Sequence, residues 1–207
     1  TPVHFTLATP PPQTGPAGRK RRAAGESTSF DAGEGATLEL AGFPAVDAAG
    51  LFRFMKNYPY NCTEQLSARG LTMLHMLPQL SEADSQEARD LIPTLIHQLY
   101  ARQRNDGGFS YWTGGDTPDT WASSMAGQFL AEAAAAGFEV QKDVLANWQR
   151  FQTNLSQAYR LAGNAVFSQL DECYRLYTLA VAGAPANAAM NRLQETGKQE
   201  GRAGRRG

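Results

Sequence analysis

Apolar and polar residues alternate over residues 36–44, where Leu38 and Leu40 are set between Thr37 and Glu39. A period of two marks a half-buried strand. One strand cannot stand alone, so its sheet partners are expected elsewhere, and 28–45 reads as an entry segment with one or two strands. From Val46 the period lengthens to that of a helix. Leu51, Phe52 and Met55 share one side of a short segment, 47–57. A second helix carries Leu66, Leu71, Leu74 and Leu77 and is stopped by Pro78. A third opens with a capping serine, Ser81, and early acids, then repeats Ala88, Leu91, Ile92, Leu95, Ile96 and Leu99 at helical spacing. Pro93 inside it predicts a kink or a later start.

The helical pattern breaks over 105–120, a glycine-rich turn in which Phe109, Tyr111 and Trp112 are interleaved. Asp119 or Thr120 can cap the alanine-rich helix that follows, and Gly137 can close it. Another helix is expected over 141–161, with Val144, Trp148, Phe151 and Leu155 on its buried stripe. Further helices fit 169–181 and, shorter, 187–195. The flanks are different in kind. Residues 1–27 hold three consecutive prolines and a basic cluster without apolar periodicity, and read as a disordered linker. Residues 197–207 offer no core positions and read as a disordered tail.

Helices joined by short loops, some apolar all round and some on a single face, suggest two layers. The expected fold is all-α: an incomplete α/α toroid over 46–196. Its inner candidates are the second helix, the alanine-rich helix and the helix over 169–181. Gly127 would permit close helix approach.

Charge and cysteine content narrow the function. The chain has 207 residues and a net charge of −1. Four cations cluster at 19–22 and four more lie in 198–207, so the helical middle carries about −8. A nucleic-acid surface would be basic in the folded part, so nucleic acid is excluded as a partner. Two cysteines, Cys62 and Cys173, exclude a disulfide framework and match no zinc spacing. No metal or cofactor is expected, and no apolar run is long enough to cross a bilayer. A secretory signal, if the parent has one, would lie upstream of this chain.

The chemistry sits in residues 58–65, Tyr58-Pro59-Tyr60-Asn61-Cys62-Thr63-Glu64-Gln65. Spacing of i, i+3 at a helix start places Cys62 and Gln65 on one face, with β-carbons about 5–6 Å apart. A thiolate there can attack the glutamine side-chain carbonyl, expel ammonia and close an internal thioester. Pro59 pre-sets an extended entry, and Tyr58 and Tyr60 offer aromatic cover. Taken alone, a buried structural cysteine would also fit Cys-x-x-Gln.

At these residues the chain resembles the thioester-containing family of alpha-2-macroglobulins and complement components, with the motif PYGCxEQ. The bacterial alpha-2-macroglobulin branch is the nearest in pattern. Asn61 stands where that motif has glycine, and asparagine is among the residues that best tolerate positive φ. The Asp106-Gly107-Gly108-Phe109-Ser110-Tyr111-Trp112 turn and its following helix resemble the same branch, as does 169–193. For the turn the structural role is favoured, with glycines making the bend and aromatics plugging one toroid end. Cys173 reads as a small buried hydrophobe.

The resemblance implies a non-enzymatic inhibitor of endopeptidases. After a protease cuts a bait elsewhere in the parent, the Cys62–Gln65 thioester would capture an amine of that protease. Complement-type members carry a later histidine that favours hydroxyl acceptors. Here His4, His75 and His97 are the only histidines, which tilts the target toward lysine amines. Target proteases and other macroglobulin-type domains of the parent are the implied partners, in the periplasm or outside the cell, with a lipid-anchored parent one possibility. Two further readings are a helical interaction module in which the bond never forms, and a cysteine enzyme activated by His75 or His97. An isoprenoid-type toroid enzyme, suggested by the DGGF turn, lacks the aspartate-rich site its substrate would need.

Overall fold

A computed structural model describes residues 47–159 and 166–203, and the expected linker and strand segment, 1–45, lie outside them. Among the described residues the regular elements are helices: α1 (Ala48–Lys56), α2 (Thr63–Met76), α3 (Glu82–Tyr100), α4 (Thr120–Ala135), α5 (Lys142–Ala158), α6 (Val166–Val181) and α7 (Asn187–Ala203). A single 3-10 turn, Leu77–Gln79, ends α2 where Pro78 was expected to stop it.

The boundaries follow local chemistry. Asp47 accepts from the Gly50 N–H at 2.7 Å, Ser81 from Asp84 at 3.2 Å, and Asp119 from Ala122 at 2.8 Å. Each satisfies a backbone donor that the first helical turn leaves without a partner. Gly137, at φ +90°, closes α4, and the Phe138 N–H returns to the Ala133 carbonyl at 3.0 Å. That is the left-handed closure the glycine allows. Pro93 does not delay α3, which runs through it from Glu82. Helix α7 continues to Ala203, past Glu195, where the apolar pattern gives out.

Helix α4 packs against both α2 and α6, while α3 lies against α2 and α5 against α4 and α6. The inner row α2, α4, α6 and the outer elements α3 and α5 form an arc of an α/α toroid. Its core joins Leu66 and Met73 of α2, Ile92, Ile96 and Leu99 of α3, Phe129 and Leu130 of α4, and Trp148 of α5. Each such side chain contributes about 1.5–3 kcal/mol on burial. Small residues set the spacing: a β-carbon on Gly70 would overlap the Phe129 ring, and one on Gly127 would overlap the Trp148 indole. Trp148 Nε1 also donates to the Ser123 carbonyl of α4 at 2.7 Å.

One expectation is corrected on α6. Cys173 is exposed rather than buried. The buried stripe runs through Glu172, Arg175, Leu176 and Leu179, and a residue one step after Glu172 turns outward. The stripe also carries the polar residues Glu172, Arg175 and Thr178. Glu172 pairs with Arg175, which donates through Nε to Gln152 Oε1 at 3.1 Å, and Gln152 donates to Ser124 Oγ at 2.9 Å. This chain of buried polar groups links α4, α5 and α6, and Ser124 Oγ in turn donates to the Thr120 carbonyl at 3.1 Å.

The inner face carries titratable groups as well. Tyr174 of α6 donates to Gln128 Oε1 of α4 at 2.7 Å, and Gln128 donates to Glu132. Burial, then the neighbouring Tyr177, Glu132 and Glu64, push the Tyr174 hydroxyl up to about 12.

Gly127→Ala should lower stability by about 2 kcal/mol or more through the Trp148 overlap. Gly137→Ala, where nothing lies within 4 Å of the added carbon, should cost about 1 kcal/mol from backbone strain alone. Thermal melts of the two variants check the order. For Tyr174, the folded state holds its proton above the unfolded value of 10.0. Its contribution is therefore complete below pH 10 and lost as pH rises toward 12. The melting temperature should fall across that window, and less steeply in Tyr174→Phe.

Candidate functional site

Cys62 is the N-cap of α2, with extended backbone (φ −68°, ψ 165°), and is 1% exposed. Its Sγ accepts from the Gln65 N–H at 3.4 Å, and the Cys62 N–H donates to Gln65 Oε1 at 3.1 Å. This is a capping box in which sulfur replaces the usual serine or threonine oxygen. The reciprocal bonds fold the glutamine back across the first turn, so its carboxamide lies beside the cysteine. Spacing alone placed the two on one face; the cap fixes which atoms meet.

The glycine-rich turn binds the same helix end. The Thr63 N–H donates to the Tyr111 carbonyl at 3.0 Å, and Thr63 Oγ1 donates to the Ser110 carbonyl at 2.6 Å. The turn is shaped by Gly107, at φ +97°, whose added β-carbon would overlap the Asn147 backbone. Asp106 accepts from the Gly108 N–H at 2.9 Å. Its other edge is tied to α4: Phe109 N–H donates to Ser123 Oγ at 2.8 Å, and the Asp119 N–H donates to the Phe109 carbonyl at 2.9 Å. The turn is thus a strap between the starts of α2 and α4.

Its aromatics divide. Phe109 is fully buried in the core, Tyr111 is half-buried, and Trp112 is 56% exposed and plugs nothing. Trp112 instead packs edge-on against the Tyr111 ring. Tyr111 donates to Glu64 Oε2 at 3.2 Å. Hydrogen bonding with the Cys62 side chain, then burial and the charges of Cys62 and Glu64, push its hydroxyl above the usual tyrosine range. The motif and the turn, read separately in the sequence, are one site.

Asn61 is held from two directions. Arg69 of α2 donates through Nη1 to Asn61 Oδ1 at 2.8 Å and through Nε to the Met55 carbonyl at 3.0 Å. Arg102, just past α3, donates through Nη2 to the Asn61 carbonyl at 2.5 Å. The asparagine side chain therefore has a use that glycine could not supply. Tyr58 is half-buried between the rings of Phe54 and Tyr60, whereas Pro59 and Tyr60 are exposed.

Arg102 and Arg69 carry no motif signal, and Thr63 fills the variable position of its motif. Arg102 and Ser110 reach their partners from irregular segments, where periodicity is silent. His75 pairs with Glu132 at 2.8 Å and His97 Nδ1 lies 2.8 Å from the Pro93 carbonyl. Both imidazoles are thus engaged away from Cys62. No described helix is long and apolar enough to cross a membrane.

No protein-family model matches the chain. It is 32% identical over 105 residues to an alpha-2-macroglobulin homolog of Yersinia pestis, covering 49% of this chain and 5% of that protein. It is 33% identical over 115 residues to the alpha-2-macroglobulin of Escherichia coli K12, covering 52% and 7%. With that of Rickettsia conorii it shares 28% over 142 residues, covering 66% and 7%. Among solved structures, native E. coli alpha-2-macroglobulin from domain MG7 to the C-terminus aligns with a TM-score of 0.63 at 20% identity, covering 75% of this chain and 26% of that one. Salmonella alpha-2-macroglobulin reacted with methylamine aligns with a TM-score of 0.64 at 21% identity, covering 76% and 11%. The chain spans only 5–7% of the curated relatives it matches. In sequence and fold, the chain is similar to a small part of the bacterial alpha-2-macroglobulins.

Proposed function

We propose that Cys62 and Gln65 form an internal thioester and that the chain serves covalent protease trapping in its parent. The observation that carries this reading is the capping box. Cys62 Sγ accepts from the Gln65 backbone N–H while the Gln65 carboxamide oxygen accepts from the Cys62 backbone N–H, which keeps both side chains at the same helix end. In closing the bond, the sulfur adds to the Gln65 carbonyl carbon and the C–N bond breaks. Ammonia leaves with the thiol proton. The Cys62 N–H already engages Gln65 Oε1, the oxygen on which negative charge develops, and so acts as an oxyanion donor.

In opening the bond, an amine adds to the same carbon and the C–S bond breaks. Cys62 leaves as a thiolate, and the amine proton passes to water. Burial of Cys62 protects the activated acyl group from hydrolysis until the surroundings move. Amines such as protease lysines are the favoured reagents, because His75 and His97 are committed to other partners. That a Salmonella relative is described as reacted with methylamine supports this choice. The reading includes bait cleavage as the trigger, other domains of the parent as partners, and a periplasmic or extracellular place of action.

Intact-mass spectrometry of the full chain should show a species about 17 Da below the sequence mass, absent in Cys62→Ala. Methylamine should convert it to a species about 31 Da heavier than the thioester form. A single peak at the sequence mass, unchanged by methylamine, would overturn the proposal.

A further inference from the structure

Arg102 is 93% buried by its 7% exposure, and its Nε and Nη1 have no hydrogen-bond partner among the described residues. No carboxylate pairs with it among them either. A buried cation without an anion is costly, so its place wants an explanation. The guanidinium's hydrogen bond among the described residues runs to the Asn61 carbonyl at 2.5 Å. That carbonyl belongs to the peptide whose N–H is that of Cys62, and that N–H donates to Gln65 Oε1 at 3.1 Å.

Resting on the thioester reading, we propose that Arg102 is a positioning and polarising residue for the reaction. It acts through the Asn61–Cys62 peptide on the Gln65 oxygen, and through its charge on the Cys62 sulfur. Hydrogen bonds in series polarise one another, and a cation at one end strengthens the donor at the other. The same peptide therefore delivers part of the guanidinium charge to the oxygen that becomes negative. The sulfur is the second negative centre, as the attacking thiolate in closing and the leaving thiolate in opening. Burial lowers the Arg102 proton affinity, and the charge of Cys62 raises it again. Both groups are buried, Cys62 at 1% and Arg102 at 7% exposure, so the charge of one acts on the other with little screening. Arg69, by contrast, meets the Asn61 side chain rather than this peptide and has no such path.

Two variants separate charge from geometry. Arg102→Lys keeps a cation that can still donate toward the Asn61 carbonyl; Arg102→Gln keeps a neutral donor. In the full chain, methylamine uptake is timed by intact mass, with thermal melting as the check on folding. The expectation is that Arg102→Lys stays within about threefold of wild type while Arg102→Gln is slowed at least about tenfold, or fails to lose ammonia at all. Equal rates in Arg102→Gln and wild type, or equal slowing in both variants, would overturn it. If Arg102→Gln does not fold, Arg102→Lys decides alone: slowing beyond about tenfold overturns the inference, and retention supports it. A wild-type chain that never loses ammonia overturns the thioester reading itself, and this inference with it.

Discussion

The first turn of an α-helix leaves backbone N–H groups with no partner inside the helix. At the start of α2 that requirement is met by the residues of the proposed thioester. The Gln65 N–H goes to the Cys62 sulfur, the Cys62 N–H to the Gln65 oxygen, and the Thr63 N–H to the Tyr111 carbonyl. Each bond answers an ordinary helix-capping need. Together they hold the Cys62 sulfur and the Gln65 side chain in one helical turn and give the carboxamide oxygen a donor. A serine would cap at least as well but would form an ester, without the activation a thioester carries.

The rest of the fold buries Cys62 and Thr63 at that helix end and ties it in place. The turn from Asp106 to Trp112 straps it to α4 through Ser123 and Asp119, and α4 is held close to α2 and α5 by Gly70 and Gly127. Farther along the arc, the Glu172–Arg175–Gln152–Ser124 chain joins α4, α5 and α6 through buried polar groups. Such a network fixes relative helix positions more narrowly than apolar contact would. Rigidity at the site is therefore inherited from helices some distance from it.

The helical arc was legible because it rests on helical periodicity, and the shared face of Cys62 and Gln65 because it rests on an i, i+3 spacing; the chemistry proposed for the pair rests on the resemblance of residues 58–65 to a thioester motif. Gly127 and Gly137 were legible because close approach and helix closure each leave a glycine signature. What escaped was long-range. Nothing local tells that Ser110 and Tyr111 will meet Thr63, or that Arg102 will reach the Asn61 carbonyl, since those partners lie 41 or more residues apart. Cys173 and Trp112 were misjudged for a related reason. Residue type favoured burial for both, but helix phase turned Cys173 outward and the strap left Trp112 at the surface. Tyr111, beside it, took the inward place and the bond to Glu64.

The central claim is that one bond joins Cys62 and Gln65, so its opening must yield two products in equal number. Treating the native chain with methylamine while titrating free thiol measures both at once. The account predicts one newly exposed thiol, mapped to Cys62, for each methylamine incorporated, mapped to Gln65. Thiol at Cys62 that is fully titratable on unfolding before any methylamine is added, with no amine taken up at Gln65, would contradict it.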